Sequence, residues 1–385
     1  MKIPISSIIM LLFLAVIGTF SCRKNLQAQD AESGCNFYYW KTIFNFDEQD
    51  QHLADSLKTK KLYLRYFDVD WSPSREMAIP KGVVQFGDSW WGSEQYLNNL
   101  QLVPVVYITN RVFESGYDLD SLVAKTARKT EELTEYLERQ LTLKYQHPED
   151  RVELYLNNWS EQDSLQKLEI SRFRERMTEV QIDCDWTQST RDVYFLFLKK
   201  LQARFPNFNI TCTVRLHQYR DRDMAGIPPV SRATLMCYNV DKLSDFEATD
   251  AIYDPKLVSG YLKNKAYPIP LEAALPLFSW GALFHEDQFK GIASQTGTVQ
   301  CEDNPLFTSL GNGRYRFTQD TVFAGIYMRT GDVLRADEAS QVELEELARW
   351  LGQRSEVYSL SFFEWNDHTK NYNIDAIYQQ FLAGK

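Results

Sequence analysis

Seven short apolar or aromatic runs in this chain each stop abruptly at carboxylates, Asn, His or Trp. They are Leu62–Trp71, Val103–Asn110, Val180–Thr187, Ile210–Gln218, Leu235–Asn239, Ala274–Trp280 and Leu360–Asp367. Helix-length segments separate them. Repeated in this way, the pattern suggests parallel strands arranged as a barrel, with their C-terminal ends converging on one polar, aromatic mouth. In a (β/α)8 barrel that end is where sites are built.

The 385 residues allow two ordinary domains or one large barrel. With 44% hydrophobic and 24% charged residues, the chain is globular and can bury a sizeable core. A net charge of −10 argues against nucleic acid, which needs clustered Lys and Arg. Aromatic residues make up 14%, including 9 Trp and 21 Tyr. Tyr and Trp pair a flat apolar face with a polar edge. A sugar ring does the same, so an aromatic cleft fits a glycan; a large aromatic core is the plainer use of the same residues.

The first residues read as an export signal, with Lys2 before the apolar run Ile3–Ile17 and small residues before Cys22. That run is short for a membrane-spanning helix. Thr19-Phe20-Ser21-Cys22 looks like a lipobox, with Thr19 where Leu is usual. It predicts a signal peptide over 1–21, lipid on Cys22, a tether over 22–36 and a single barrel domain over 37–385. The expected partner there is a membrane, reached through the lipid anchor, and the expected place is the cell envelope, periplasmic side or outer membrane. Cys184, Cys212 and Cys237 lie in strand-like runs and read as small core hydrophobes. Cys35 and Cys301 lie in loop-like sequence and can pair in an oxidising compartment.

The expected strands are Lys61–Asp68, Leu102–Thr109, Val180–Asp185, Asn209–Leu216, Ala233–Tyr238, Pro268–Phe278, Val322–Met328 and Val357–Phe363. A loop with Trp90 and Trp91 follows the first. Helices are expected at Asp47–Lys60, Asp118–Leu143, Arg191–Phe205, Asp254–Lys263, Ala339–Gln353 and Ile374–Leu382. A charged insertion occupies about 146–178, with Val152–Leu156 as a possible strand. A long excursion at the mouth spans about 284–320. This alternation predicts an α/β chain folded as a (β/α)8 TIM barrel. The segment after Asp68 has no GxGxxG or GxxxxGK[ST], and no Cys/His spacing suggests zinc, so no cofactor is expected.

Asp183-Cys184-Asp185-Trp186 is the sharpest motif. Two carboxylates two apart on a strand share a face. Their repulsion raises one pKa, which makes a proton donor near neutral pH. The other use of these groups is to cap the next helix and pair with Arg215. Asp68 and Asp70 repeat the spacing at the end of Lys61–Asp68, as candidates for substrate hydroxyls or a hard cation, or as a helix cap in a solvated loop. Arg65, if inward, needs a carboxylate, and Asp183 is the candidate. Arg215 and His217 share one face of a strand end, with His217 as a base, a hydroxyl donor or a structural His. Tyr238 and Asn239 suit glycan hydroxyls, and Trp280 offers a stacking platform or a core side chain. Glu364, after Phe362 and Phe363, fits an apolar wall that raises its pKa, with Asp367 close by; its alternative is a bond to a neighbouring Arg.

Ile182–Trp186 resembles the strand-four signature of the chitinase-like glycoside hydrolases of family eighteen, Asp-x-x-Asp-x-Asp-Trp-Glu. Asp183, Asp185 and Trp186 match it. Val180 replaces the first Asp, and Thr187 stands where that family has its catalytic Glu. Barrels of unassigned function in bacterial lipoproteins and exported proteins are similar too, with Ile-Asp-x-Asp followed by Ser/Thr and Arg, here Ser189, Thr190 and Arg191. The resemblance implies a barrel that acts on or binds a glycan. One form is a hydrolase with Asp185 and Glu364 as the working pair, assisted by Asp183. There, a carboxyl separation of roughly 5–5.5 Å goes with retention and roughly 6.5–9.5 Å with inversion. The other is a non-catalytic barrel that binds a glycan or a protein, which Thr187 favours.

Overall fold

A computed structural model describes residues 34–86, 100–142, 159–263 and 266–385. Eight parallel strands close into a ring: β1 (Asn36–Tyr39), β2 (Lys61–Ser72), β3 (Gln101–Ile108), β4 (Glu179–Asp183), β5 (Asn209–Arg215), β6 (Ala233–Met236), β7 (Leu271–Pro276) and β8 (Val357–Phe363). Each pairs with its sequence neighbour, and β1 closes the ring by pairing with both β8 and β2. This is a (β/α)8 barrel. Its strands are buried nearly end to end, which is why they read as continuous apolar runs rather than alternating ones.

Helices cover the outside: α1 (Glu48–Ser56), α2 (Leu119–Thr142), α3 (Trp159–Arg176), α4 (Arg191–Arg204), α5 (Leu216–Arg220), α6 (Pro255–Tyr261), α7 (Gln341–Gly352) and α8 (Ile374–Gly384). Their starts are encoded locally. Asp47 and Asp50 exchange side-chain bonds with each other's backbone N–H at α1, and Ser340 and Glu343 do so at α7. Asp254 caps α6 with Pro255 in its first turn. A side chain at Gly352 would collide with the Phe381 carbonyl, so glycine lets α7 and α8 lie against each other.

Between β7 and α7 the chain leaves the barrel. Ser279–His285, Gln288–Ser294, Phe307–Gly311, Arg314–Phe317 and Val333–Glu338 form an antiparallel sheet. It has a small core of its own, including Leu283, Phe307, Phe317 and Leu334.

Several expectations change. The first strand is Asn36–Tyr39, not Lys61–Asp68, which is the second. Val322–Met328 is no barrel strand: Thr321–Phe323 pairs with Ile326–Met328 in a hairpin on the insert. The excursion expected at 284–320 runs as a sheet from Ser279 to Glu338. Residues 159–176 of the charged insertion form α3. Trp90, Trp91 and Val152–Leu156 lie outside the described residues. Cys35 and Cys301 are free thiols buried in different cores, one in the barrel and one in the insert.

The lumen of the barrel is polar. Hydrogen bonds between strands that are not neighbours in the ring must cross it. Tyr38 on β1 donates to Gln181 on β4 (2.7 Å), and Gln181 donates to Thr234 on β6 (3.0 Å). Asn36 on β1 donates to Glu272 on β7 (2.8 Å). Glu179 on β4 takes Lys61 of β2 (3.3 Å), Arg232 just before β6 (2.5 Å) and Thr211 of β5 (2.8 Å). Burial works to raise the Glu179 carboxyl, but Lys61 and Arg232 hold it below its ordinary value. Burial raises Glu272.

Glu179→Ala leaves Lys61 and Arg232 as cations without their shared carboxylate. The expected loss is about 3–5 kcal/mol, read as a lower urea midpoint at unchanged slope. A midpoint equal to the parent's would refute the role.

Candidate functional site

The C-terminal strand ends bring charges from distant parts of the chain together. Register sets Asp68, Tyr107 and Asp183 level across β2, β3 and β4. Asp183 alternates with Gln181 and Glu179, so it continues the lumen side of β4 to the top. Thr213 on β5 donates to Asp183 Oδ1 at 2.6 Å. Asp185, past the strand end and half-buried, pairs with Arg215 Nε at 3.3 Å.

Burial, and then the Asp185 charge, push the Asp183 carboxyl up to about 6, against Thr213 and Arg215. Burial and the charges of Asp185, Asp183 and Asp68 raise the Tyr107 phenol to about 12. Burial also raises Tyr238, which feels Arg215, Asp183, Glu364 and Asp185 together. One phenol within reach of charges at the ends of β4, β5 and β8 marks their convergence.

Glu364 follows β8 through a cis peptide bond from Phe363. Burial raises its carboxyl, against Asn366, Lys41 and Arg65. It borders a hollow of about 640 Å³ also lined by Trp40, Lys41, Asp50, Arg65 and Asp367. Asp183 and Asp185 do not line that hollow. Aromatic rings gather at the same strand ends: Phe363 packs on Tyr238 (ring centroids 5.1 Å apart), Trp40 (5.5 Å) and Phe278 (5.6 Å), and Phe278 packs on Trp280 (5.2 Å).

Other expected residues have different surroundings. Asp70 is buried, with its oxygens taken by Lys81 (2.6 Å), Arg111 (2.6 Å) and Thr109 (2.9 Å). Burial works to raise it, yet these donors hold it well below the usual carboxylate range. It is the centre of a structural ion cluster. Arg65 pairs with Asp68, three residues away, and not with Asp183; it also donates to the Trp40 carbonyl. His217 does not share a strand face with Arg215, because β5 ends there and α5 starts at Leu216. It is exposed overall, and the partial burial of its ring and then Arg215 lower its proton affinity. Asn239 is exposed in the left-handed region, at φ 56°. Asp367 is exposed at the start of a 3-10 turn. Trp280 is half-buried, its indole N–H bonded to Asp337 at 2.9 Å. Trp186 is core: it stacks on Tyr194 and donates to the Ala225 carbonyl. Thr187 is exposed, its hydroxyl 2.9 Å from that of Ser189.

Tyr107, Trp40 and Thr213 were not anticipated. Tyr107 was visible as the polar-tipped aromatic inside Val103–Asn110. Trp40 ends a run too short to stand out, and Thr213 is one hydroxyl among several on β5. Among the described residues, no group of His, Cys, Asp and Glu is arranged to hold a metal ion.

No family model matches the chain, and no curated protein matches it. Among solved structures it is similar to the spore cortex-lytic enzyme SleL of Bacillus cereus, at 12% identity over 91% of this chain and 74% of that one, TM-score 0.44. It is similar to SleL of Bacillus megaterium QM B1551, at 8% over 91% and 73%, TM-score 0.46. It is also similar to the C-terminal domain of Legionella pneumophila ChiA, at 9% over 91% and 96%, TM-score 0.38.

Because Asp183 is raised in the folded state, the stabilisation from its proton is complete below roughly pH 3.9. It is lost as pH climbs through about 6. In carboxyl NMR titrations, Asp185→Asn is expected to lower the Asp183 midpoint by removing a like charge, and Thr213→Val to raise it. Shifts in the same direction would contradict this electrostatic assignment.

Proposed function

We propose that the barrel mouth binds a glycan. The observation that carries this reading is the joining of half-buried aromatic faces to hydrogen-bonding groups at one end of the ring. Trp40, Tyr107, Trp280 and Phe363 supply the faces. Asp183, Asp185, Arg215, Asn239 and Glu364 supply the polar edges. Sugar rings present the complementary combination of C–H faces and hydroxyl rims. The motif Ile182–Trp186 supports a chitinase-like origin, and Thr187 supports binding without the turnover that such a family's Glu performs. The N-terminal lipobox-like segment supports a lipid anchor on Cys22 and a place at the cell envelope. No helix among the described residues is long and apolar enough to cross a membrane.

One observation favours a hydrolytic second reading. Burial raises the carboxyls of both Glu364 and Asp183 above their ordinary values, the direction a proton donor needs. Glu364 would then donate to the leaving oxygen from the hollow it lines.

Purified protein lacking residues 1–33 is expected to bind soluble hexosamine oligosaccharides saturably in calorimetry. Trp280→Ala should weaken Kd about tenfold by removing one stacking face. No binding to any oligosaccharide in a neutral, amino and acidic panel would refute the proposal. If products form, Glu364→Gln should abolish them while leaving Kd nearly unchanged; unchanged turnover would remove Glu364 from the chemistry.

A further inference from the structure

The insert is fastened to the loop after β6 by Arg335, a cation with no exposure to solvent that is paired with Asp337 on its own strand. Arg335 and Asp337 both have 0% exposure and sit two apart on the strand Val333–Glu338, so they share a face. Arg335 donates to Asp337 through Nε (2.6 Å) and Nη2 (3.0 Å). Its remaining donors reach the carbonyls of Leu243 (3.2 Å), Asp245 and Ala248 (3.3 Å). All five guanidinium N–H groups are thereby used. Arg314, from the adjacent strand, donates to the Phe246 carbonyl and to that of Ala248 (3.1 Å). From the loop side, Asp250 accepts the backbone N–H of Glu338 (2.8 Å) and those of Ile252 and Tyr253.

Two walls of the mouth hang on this fastening. Trp280 lies directly opposite Asp337 in the antiparallel pair and donates its indole N–H to Asp337 Oδ2 at 2.9 Å. Asn239 begins the clamped loop, its own N–H bonded to the Ile252 carbonyl at 2.8 Å. A buried ion pair repays its desolvation poorly as a source of stability alone, and apolar residues often fill such a place as well. A carboxylate here does what an apolar residue cannot: it takes the indole N–H and the guanidinium at once.

We infer that Asp337 is a positioning residue for ligand recognition. It fixes the plane of the Trp280 ring, and Arg335 ties that plane to the loop that presents Asn239. The insert therefore sets the width of the mouth between a rigid aromatic face and a rigid polar loop. This inference rests on the glycan reading and names how that site selects: a ring must fit a fixed gap.

The test uses Trp280→Phe, which keeps an aromatic face and removes only the indole N–H, beside Asp337→Asn and Trp280→Ala. Oligosaccharide Kd, melting temperature and exchange of the Trp280 indole proton are measured. The parent should bind and show a slowly exchanging indole proton. Trp280→Phe should weaken binding about fivefold, the worth of one hydrogen bond, with its melting temperature close to the parent's. Asp337→Asn should weaken binding and speed indole exchange, and adding Trp280→Phe to it should cost nothing more. Trp280→Phe binding as tightly as the parent, while Trp280→Ala is weak, would overturn the positioning role but leave the platform. Equal binding by Trp280→Ala would overturn the platform, with the mouth reading intact. No binding by the parent would remove the mouth reading itself.

Discussion

The structure depends on a carboxylate inside a ring of strands. Glu179 reaches Lys61 and Arg232 across the lumen, and no neighbouring pair of strands makes either contact. Barrel lumens are ordinarily filled by branched aliphatic side chains stacked in layers. Here Gln181, Thr234, Tyr38, Asn36 and Glu272 take those places, and directional bonds replace shape-filling. Such bonds specify which strand faces which, because a buried polar group without its partner is costly. Ring closure and lumen chemistry are therefore one constraint.

The same column of side chains leads up to the mouth. Glu179, Gln181 and Asp183 alternate along one face of β4. The lowest is held ionised by two cations, and the highest is raised by burial and by Asp185. A short strand thus carries two carboxylates whose protonation is pushed in opposite directions by what faces them. The hollow that Glu364 lines is not lined by Asp183 or Asp185.

Much of the barrel was legible in the sequence because a parallel strand buried on both sides writes itself as an apolar run, and seven of the eight expected runs became barrel strands. The miss at Val322–Met328 has a clear cause: an insert with its own core uses the same residue types as the barrel. Asn36–Tyr39 was hidden by its length of four residues. At the site, the Asp183–Asp185 spacing was readable because strand periodicity is local. Partners were not. Arg65 turned to Asp68 on its own strand, Asp70 was absorbed by Lys81 and Arg111, and Arg335 met three carbonyls some ninety positions away. Side-chain identity shows what a group can bond to, and only tertiary placement shows which group arrives.

The direction of β1 carries one more consequence. It runs parallel to the other seven strands, and Cys35, at its start, accepts a bond from Lys60, just before β2. The polypeptide upstream of Asn36 therefore joins the molecule at the floor of the barrel, with the whole height of the ring between it and the mouth. Anything joined to the chain ahead of Gly34 is therefore attached at the far end of the ring and leaves the opening unobstructed from that side.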